Sequence, residues 1–240
     1  MKHVLFIGGS IASLVAASHL SNHSKVSLIE LHAEVGMPSG QPGFIHDISL
    51  LDSYLNEEQI KFLKPDDNEP GWGLRSEWLT KHLAMNAAHT GTTIHTKTRI
   101  TSIEVENDQF IVEFQGGGRA SKDSIIVDRV INSAHYVPSA PGGMQHTVGE
   151  HSMVEYVEPT VTTSWFGGTA LTSDCQSLPE SAWMFSRSEG LSEVWFEGTP
   201  DWQPKHGWIE QIHSNLPFSA QHRTIDAQIL EGMRLAGVSK

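Results

Sequence analysis

The stretch Phe6-Ile-Gly-Gly-Ser-Ile-Ala-Ser-Leu-Val-Ala-Ala17 constrains this chain more than any other. It belongs to a short run, His3 to Ile7, that carries no alternation of polar and apolar residues and stops at Gly8-Gly9. Such a run suits a parallel strand buried on both faces. From Ser10 to about Leu20 the residues Ala12, Leu14, Val15, Ala16, Ala17 and Leu20 favour a helix packed tightly on a sheet. "KVSLIE", Lys25 to Glu30, then reads as a second strand that ends on a carboxylate. Strand, glycine turn, helix and strand make a βαβ beginning. Glu30 lies 22 positions after Gly8, close to the ~20 expected between a glycine turn and an acid that binds ribose hydroxyls.

Composition narrows the possibilities further. A chain of 240 residues can bury a sizeable core, and 38% hydrophobic with 18% charged residues is the balance of an ordinary soluble protein. No segment approaches the ~18 uninterrupted apolar residues of a membrane span. The formal net charge of -12, with 16 scattered Lys and Arg, argues against nucleic acid or an anionic membrane as partner. The single cysteine, Cys175, excludes an internal disulfide and a Cys-rich zinc site and is compatible with the reducing cytoplasm. Lys2 before an apolar run resembles a secretory leader, but Gly8-Gly9-Ser10 breaks the run at once, so none is expected.

Downstream of Glu30 the chain is rich in glycine and proline as far as Gly73, with a helical patch near Ile48 to Phe62. Leu74 to Gly91 has apolar residues at Leu74, Trp78, Leu79, Leu83 and Ala87 and ends at a glycine, which predicts a helix. "TIHTKTRITSIEVEND", "QFIVEFQGG" and "KDSIIVDRVINSA" predict a strand, a hairpin and a return strand. After Pro138-Ser-Ala-Pro-Gly-Gly143 the stretches around Trp165, Trp183 and Trp195 are β-rich and aromatic, as in an antiparallel sheet with a covered face. Helices are expected near Gly207 to Asn215 and Ala220 to Ala236.

The combination of Gly8-Gly9-Ser10-Ile11-Ala12-Ser13 with Glu30, the turn "EVGMPSG" (Glu34 to Gly40), the helix and hairpin from Leu74 to Asp108, and the strand end "VINSAHYVP" (Val130 to Pro138) resembles the glutathione-reductase-like FAD-binding superfamily. The likeness is to the branch of flavoprotein monooxygenases and geranylgeranyl reductases, and it covers roughly the first 140 residues. Two departures stand out: Ser10 and Ser13 occupy positions where the G-x-G-x-x-G pattern has glycine, and no Gly-Asp dipeptide occurs late in the chain. "GTALTSDC", with Asp174, is the nearest substitute, and "TIDAQILEGMRLAG" resembles the helix that normally follows that motif, with Glu231-Gly232 near the flavin.

The resemblance implies an α/β fold: a Rossmann-like FAD/NAD(P)-binding domain with a parallel sheet at residues 1–142, an antiparallel β-sheet substrate domain at 143–205, and C-terminal helices at 206–240 packing back on the first domain. It implies FAD as cofactor, with NADH or NADPH as electron donor. The implied binding residues are Gly8, Gly9, Ser10, Ile11, Ala12, Ser13, Glu30, Leu31, His32, Gly36, Met37, Ser39, Arg75, Ile100, Ser133 and Ala134. A serine hydroxyl donates to phosphate oxygen as an amide does, and amides at a helix N-terminus favour an anion. Glu30 would hold the ribose hydroxyls and repel the 2′-phosphate of NADP; Arg75 would take a phosphate in bidentate fashion. His135 and His46 are the catalytic candidates, and the residues themselves propose no metal. Trp165, Phe166, Trp183, Phe185, Trp195 and Phe196 either line an aromatic pocket or form core. The function implied is a small oxidoreductase, monooxygenase or reductase, acting on a hydrophobic or aromatic small molecule, served by a nicotinamide cofactor or a partner reductase. Two alternatives stay open: a noncatalytic flavin- or nucleotide-binding partner of a larger protein, and an NAD-dependent oxidoreductase without flavin.

Overall fold

His3–Ile7 lacks alternation because both of its faces are covered. Val4 and Phe6 point into a layer of helices, while Leu5 and Ile7 point into a small antiparallel sheet on the other side. The structure is a computed structural model and describes residues 1–36, 40–116, 123–133, 153–157 and 161–238.

In chain order the elements are β1 (His3–Ile7), α1 (Ile11–Leu20), β2 (Lys25–Ile29), β3 (Phe44–Ile45), α2 (Glu57–Phe62), β4 (Asp66–Asp67), β5 (Trp72–Gly73), α3 (Ser76–His89), β6 (Thr93–His95), β7 (Thr98–Glu106), β8 (Gln109–Gly116), β9 (Asp123–Val127), β10 (Arg129–Asn132), β11 (Glu155–Tyr156), β12 (Thr162–Leu171), β13 (Trp183–Arg187), β14 (Leu191–Glu197), β15 (Glu210–Pro217) and α4 (Ile225–Ala236). A parallel sheet runs β11-β10-β1-β2-β6. Helices α1, α3 and α4 cover one of its faces and the meander β7-β8-β9 covers the other through Ile100, Ile103, Phe110, Val112 and Phe114. A second large sheet, β13-β14-β12-β15, is antiparallel throughout. The α/β class with a parallel Rossmann-like sheet and an antiparallel sheet is therefore as expected.

Helix α1 is apolar all round because it is enclosed on all sides; Ile11 to Ala17 are all buried. Its small residues let α4 come close. Gly232 of α4 lies on the backbone of α1, where an added Cβ would stand 2.6 Å from the Ala12 carbonyl oxygen. The residue pair expected beside a flavin thus serves helix packing at Gly232, while the Glu231 carboxylate binds Arg234 on the same helix.

Two local expectations are corrected. The patch at Ile48 to Phe62 is not one helix but a 3-10 turn, Ile48–Ser53, followed by α2. Asn56 caps α2 in a reciprocal box with Gln59, which sets its start at Glu57. The stretch near Gly207 to Asn215 is not helical; it holds β15, whose Ile212, Ser214 and Leu216 lie on the face towards the first half of the chain. Pairing with β12 over eight residues outweighed its local composition.

Candidate functional site

The glycine turn after β1 has the geometry its sequence requires. Gly8 sits at φ +88°, a left-handed conformation open to glycine and strained for other residues. The chain then enters α1, whose N-cap is Ser10: its hydroxyl accepts from the Ser13 amide at 3.2 Å. The first-turn amides of Ile11 and Ala12 have no acceptor within the helix and present the anion-binding end of its dipole.

The two serines in the glycine positions have work within the fold. Ser10 donates its hydroxyl to Ser13 at 3.2 Å, and Ser13 donates to Ser133 at 2.8 Å. Ser133, at the end of β10, turns its hydroxyl towards the carbonyls of Ile7 (3.1 Å) and Gly8 (2.9 Å). Helix α1 is thereby tied to β1 and β10 by a chain of hydroxyls, where the usual pattern relies on bare backbone contact. Ser10 is 6% exposed, and Ser13 and Ser133 are fully buried.

Glu30, just after β2, reaches back to the turn. One carboxylate oxygen accepts from the Gly9 amide at 2.8 Å; the other accepts from the His32 amide at 2.9 Å and the His32 ring Nδ1 at 3.0 Å. Burial pushes this carboxyl up, but the donations from the His32 ring, the His32 amide and Gly9 outweigh it and hold the group below the usual carboxylate range. Its charge is kept at neutral pH. With Nδ1 bound to Glu30, His32 Nε2 is left buried without a hydrogen-bond partner among the described residues, which is costly unless something else meets it.

Gly8, Gly9, Ser10, Ile11, Ala12, Ser13, Glu30, His32 and Ser133 thus converge at one end of the parallel sheet. Leu31 follows Glu30 in the same loop, and Gly36 closes the described part of that loop at φ +82°. Ile100 is core: its side chain packs with Ile7 and Ile29. Arg75 stands elsewhere, at the N-cap of α3, with its guanidinium 2.9 Å from Glu189 in the turn between β13 and β14. His46 is exposed, its ring edge-on to Phe44, and its amide donates to Asp226 at the start of α4. Asp174 accepts from the amide and ring of His206 on the surface of the second sheet. Met37, Ser39, Ala134 and His135 lie outside the described residues.

The residues at this end fit the adenosine and pyrophosphate half of a dinucleotide. There is a left-handed turn into a capped helix with amides to offer an anion, an ionised acid, and an orphaned imidazole nitrogen beside that acid.

A second constellation went unread in the sequence. The inward face of the antiparallel sheet carries Trp165, Phe185, Trp195 and Leu216, packed on Phe44. Farther along the same face it turns charged, with Arg187 and Glu193 at 8% and 5% exposure. Arg187 donates to Thr169 at 3.1 Å and to Glu77 of α3 at 3.2 Å, and it stands 3.6 Å from Glu193. Glu193 accepts from the Gly43 amide at 2.9 Å and the Trp195 indole at 2.6 Å. Burial pushes its carboxyl up to about 7 against the pull of Arg187 and the two donors, with the neighbouring Glu77 charge adding to the rise. A cavity of about 260 Å³ opens beside this cluster, between α3, the loop at Gln41 and strands β12 to β15.

The signal that would have revealed it is the alternation. Arg187 takes the inward slot in the series Trp183, Phe185, Arg187, and Glu193 takes the inward slot before Trp195. The six aromatics considered together divide between two faces. Trp165, Trp183, Phe185 and Trp195 belong to the inward cluster, Phe166 and Phe196 to the outward one with Val194 and Trp208.

No family model matches the chain. Among solved structures it is similar to a geranylgeranyl bacteriochlorophyll reductase-like protein from Thermoplasma acidophilum, with a TM-score of 0.67 and 15% identity over 99% of this chain and 78% of that one. It is similar to a flavoprotein/dehydrogenase from Cytophaga hutchinsonii, with a TM-score of 0.59 and 15% identity over 99% and 80% of the two chains. It is also similar to p-nitrophenol 4-monooxygenase from Pseudomonas putida, with a TM-score of 0.57 and 13% identity over 90% and 69%. At these identities the likeness is one of architecture: the chain has the Rossmann-like α/β fold of FAD-binding reductases and monooxygenases.

Proposed function

We propose that this chain is an FAD-dependent oxidoreductase, of monooxygenase or reductase type, acting on a small molecule. The observation that carries the reading is the group at the end of β1 and β2: Gly8 in its left-handed turn, the capped N-terminus of α1 with the amides of Ile11 and Ala12, the ionised Glu30 and the Nε2 of His32, without a partner among the described residues. Glu30 and His32 would hold the adenosine hydroxyls. The amides of Ile11 and Ala12, with Gly8 and Gly9, would hold the pyrophosphate. Leu31, Gly36, Met37, Ser39, Ser133 and Ala134 would border the rest, with His135 and His46 as the candidates for work near the ring. When bound, FAD supplies the electron-transfer chemistry, with NADH or NADPH as the donor in this reading. The chain's own part is to orient both molecules, exclude water and keep Glu30 charged.

The test is the visible absorbance of the purified protein before and after denaturation, with mass spectrometry of what is released. FAD at near-unit stoichiometry, bleached by NADH or NADPH in the presence of substrate, is the expected result. Colourless protein that also refuses added FAD would sink the reading. A second reading, a flavin- or nucleotide-binding partner without catalysis, draws support from the hydroxyl chain that spends Ser10, Ser13 and Ser133 on the fold itself. Bound FAD that no nicotinamide and no candidate substrate bleaches would favour it.

A further inference from the structure

The cavity beside Arg187 has an uneven charge. Its described lining holds three carboxylates, Glu77, Glu193 and Glu210, against the single guanidinium of Arg187. Whether or not Glu193 carries its proton, the lining stays net negative. The carboxylates are graded in depth: Glu193 is buried, the Glu77 side chain is 13% exposed, and Glu210 is exposed at the end of β15, with an oxygen 3.5 Å from the Thr169 hydroxyl. An entering molecule therefore meets negative charge from mouth to floor. At the floor Arg187 spends its terminal nitrogens on Thr169, Glu77 and Glu193, while its Nε has no partner among the described residues. That Nε has no surface open to a water-sized molecule, so the part of Arg187 is to hold Glu77 and Glu193 at the wall. Trp195 and Ile212 give part of the wall an apolar character.

These demands define one ligand chemistry. An anion would add charge to an already negative, partly desolvated site and be repelled, whereas a cation would be drawn in. A wholly apolar molecule would leave the polar lining without partners.

We propose that this cavity is a binding site for a small, otherwise uncharged molecule carrying a protonated amine, and that Glu77 and Glu210 select the amine. Calling that molecule the substrate rests on the flavoenzyme reading; its binding does not.

The test uses three probes of one size and shape that differ in charge: tyramine, its neutral alcohol analogue tyrosol, and 4-hydroxyphenylacetate. Each is titrated calorimetrically into the intact protein at low salt, with and without added FAD. Tyramine is expected to bind at least about tenfold more tightly than 4-hydroxyphenylacetate, with tyrosol between. Raising the salt should narrow the gap. Glu77→Gln should cut the preference several-fold, and Glu210→Gln, at an exposed position that leaves the core alone, should cut it less. Equal affinities, a preference for the anion, or no binding of any probe would overturn the proposal. The amine preference in protein that takes up no FAD would overturn the flavoenzyme reading alone. FAD bound without an amine preference would overturn the cavity's assignment alone.

Discussion

Glu30 and Glu193 are built from the same parts and behave in opposite ways. Each is a buried glutamate, each accepts a glycine amide (Gly9 or Gly43), and each accepts from an aromatic ring N–H (His32 or Trp195). Glu30 lies below the usual carboxylate range and Glu193 is pushed up to about 7. Burial acts on both. Glu30 gains one more amide donor, that of His32, and no anion beside it raises its carboxyl. Glu193 shares Arg187, the one cation paired with it among the described residues, with Glu77, whose charge repels its own. A buried acid is thus read from the balance of donors and neighbouring charges, and the two ends of this molecule are set to different electrostatic tasks.

The contrast is most severely tested by removing Glu193. Glu193→Ala leaves Arg187 half-paired and orphans the Gly43 amide and the Trp195 indole, so a loss of roughly 3–5 kcal/mol of stability is expected in chemical denaturation. A loss under ~1 kcal/mol would mean that the cluster does not bind the sheet to the Gln41–Gly43 loop. The pH dependence carries the same contrast with its sign. Glu193 has a raised pKa in the folded state, so its contribution is fully present below the unfolded value of 4.5 and is lost as pH rises towards about 7, by roughly 3 kcal/mol at most. Glu30 works in reverse, contributing above the unfolded value and losing that contribution as pH falls through its lowered one. Denaturation midpoints followed from pH 4 to 8 should therefore flatten in Glu193→Gln and keep their slope in Glu30→Gln over the upper half of that range (about half a unit steps suffice).

At the other site, Gly8→Val forces a β-branched residue to a positive φ, with an expected cost of roughly 1–3 kcal/mol and loss of FAD uptake in the absorbance assay. Ser133→Ala strips the acceptor from Ser13, and about 1–2 kcal/mol should be lost. A double-mutant cycle with Ser13→Ala should show strong non-additivity, and simple additivity would break the hydroxyl chain into unrelated contacts. The smallest effect belongs to Arg75→Ala. Its pair with Glu189 is partly exposed, so at most ~1 kcal/mol is expected, with FAD uptake unchanged. Loss of FAD would return Arg75 to the cofactor.

The first sheet was legible because its residues obey local rules. Two-sided burial leaves β1 and β2 without alternation, Gly8 marks the turn, and Ser10 marks the cap, so strand, helix and Glu30 could be placed from spacing alone. Arg75 shows a limit of sequence reading, because a helix-start arginine looks the same whether it faces a phosphate or pairs with Glu189, a residue 114 positions away. The segment holding β15 misled because its strand character comes from pairing with β12 and not from its own composition. The Arg187–Glu193 cluster was written in the alternation of β13 and β14. Recognising it required knowing which face of each strand turns inward, and only the register with β12 and β15 decides that.

The packing of Gly232 on Ala12 also has a bearing on how the protein is made. Helix α1 gains much of its cover from α4, across more than two hundred residues of chain. During synthesis, β1, α1 and β2 emerge early but cannot close their layer until α4 has left the ribosome, and for that whole interval the apolar flank of α1 stands open. Contacts of such long range slow the search for the native state and leave a nascent chain exposed to wrong partners. The protein should therefore depend on chaperones before α4 arrives and much less afterwards.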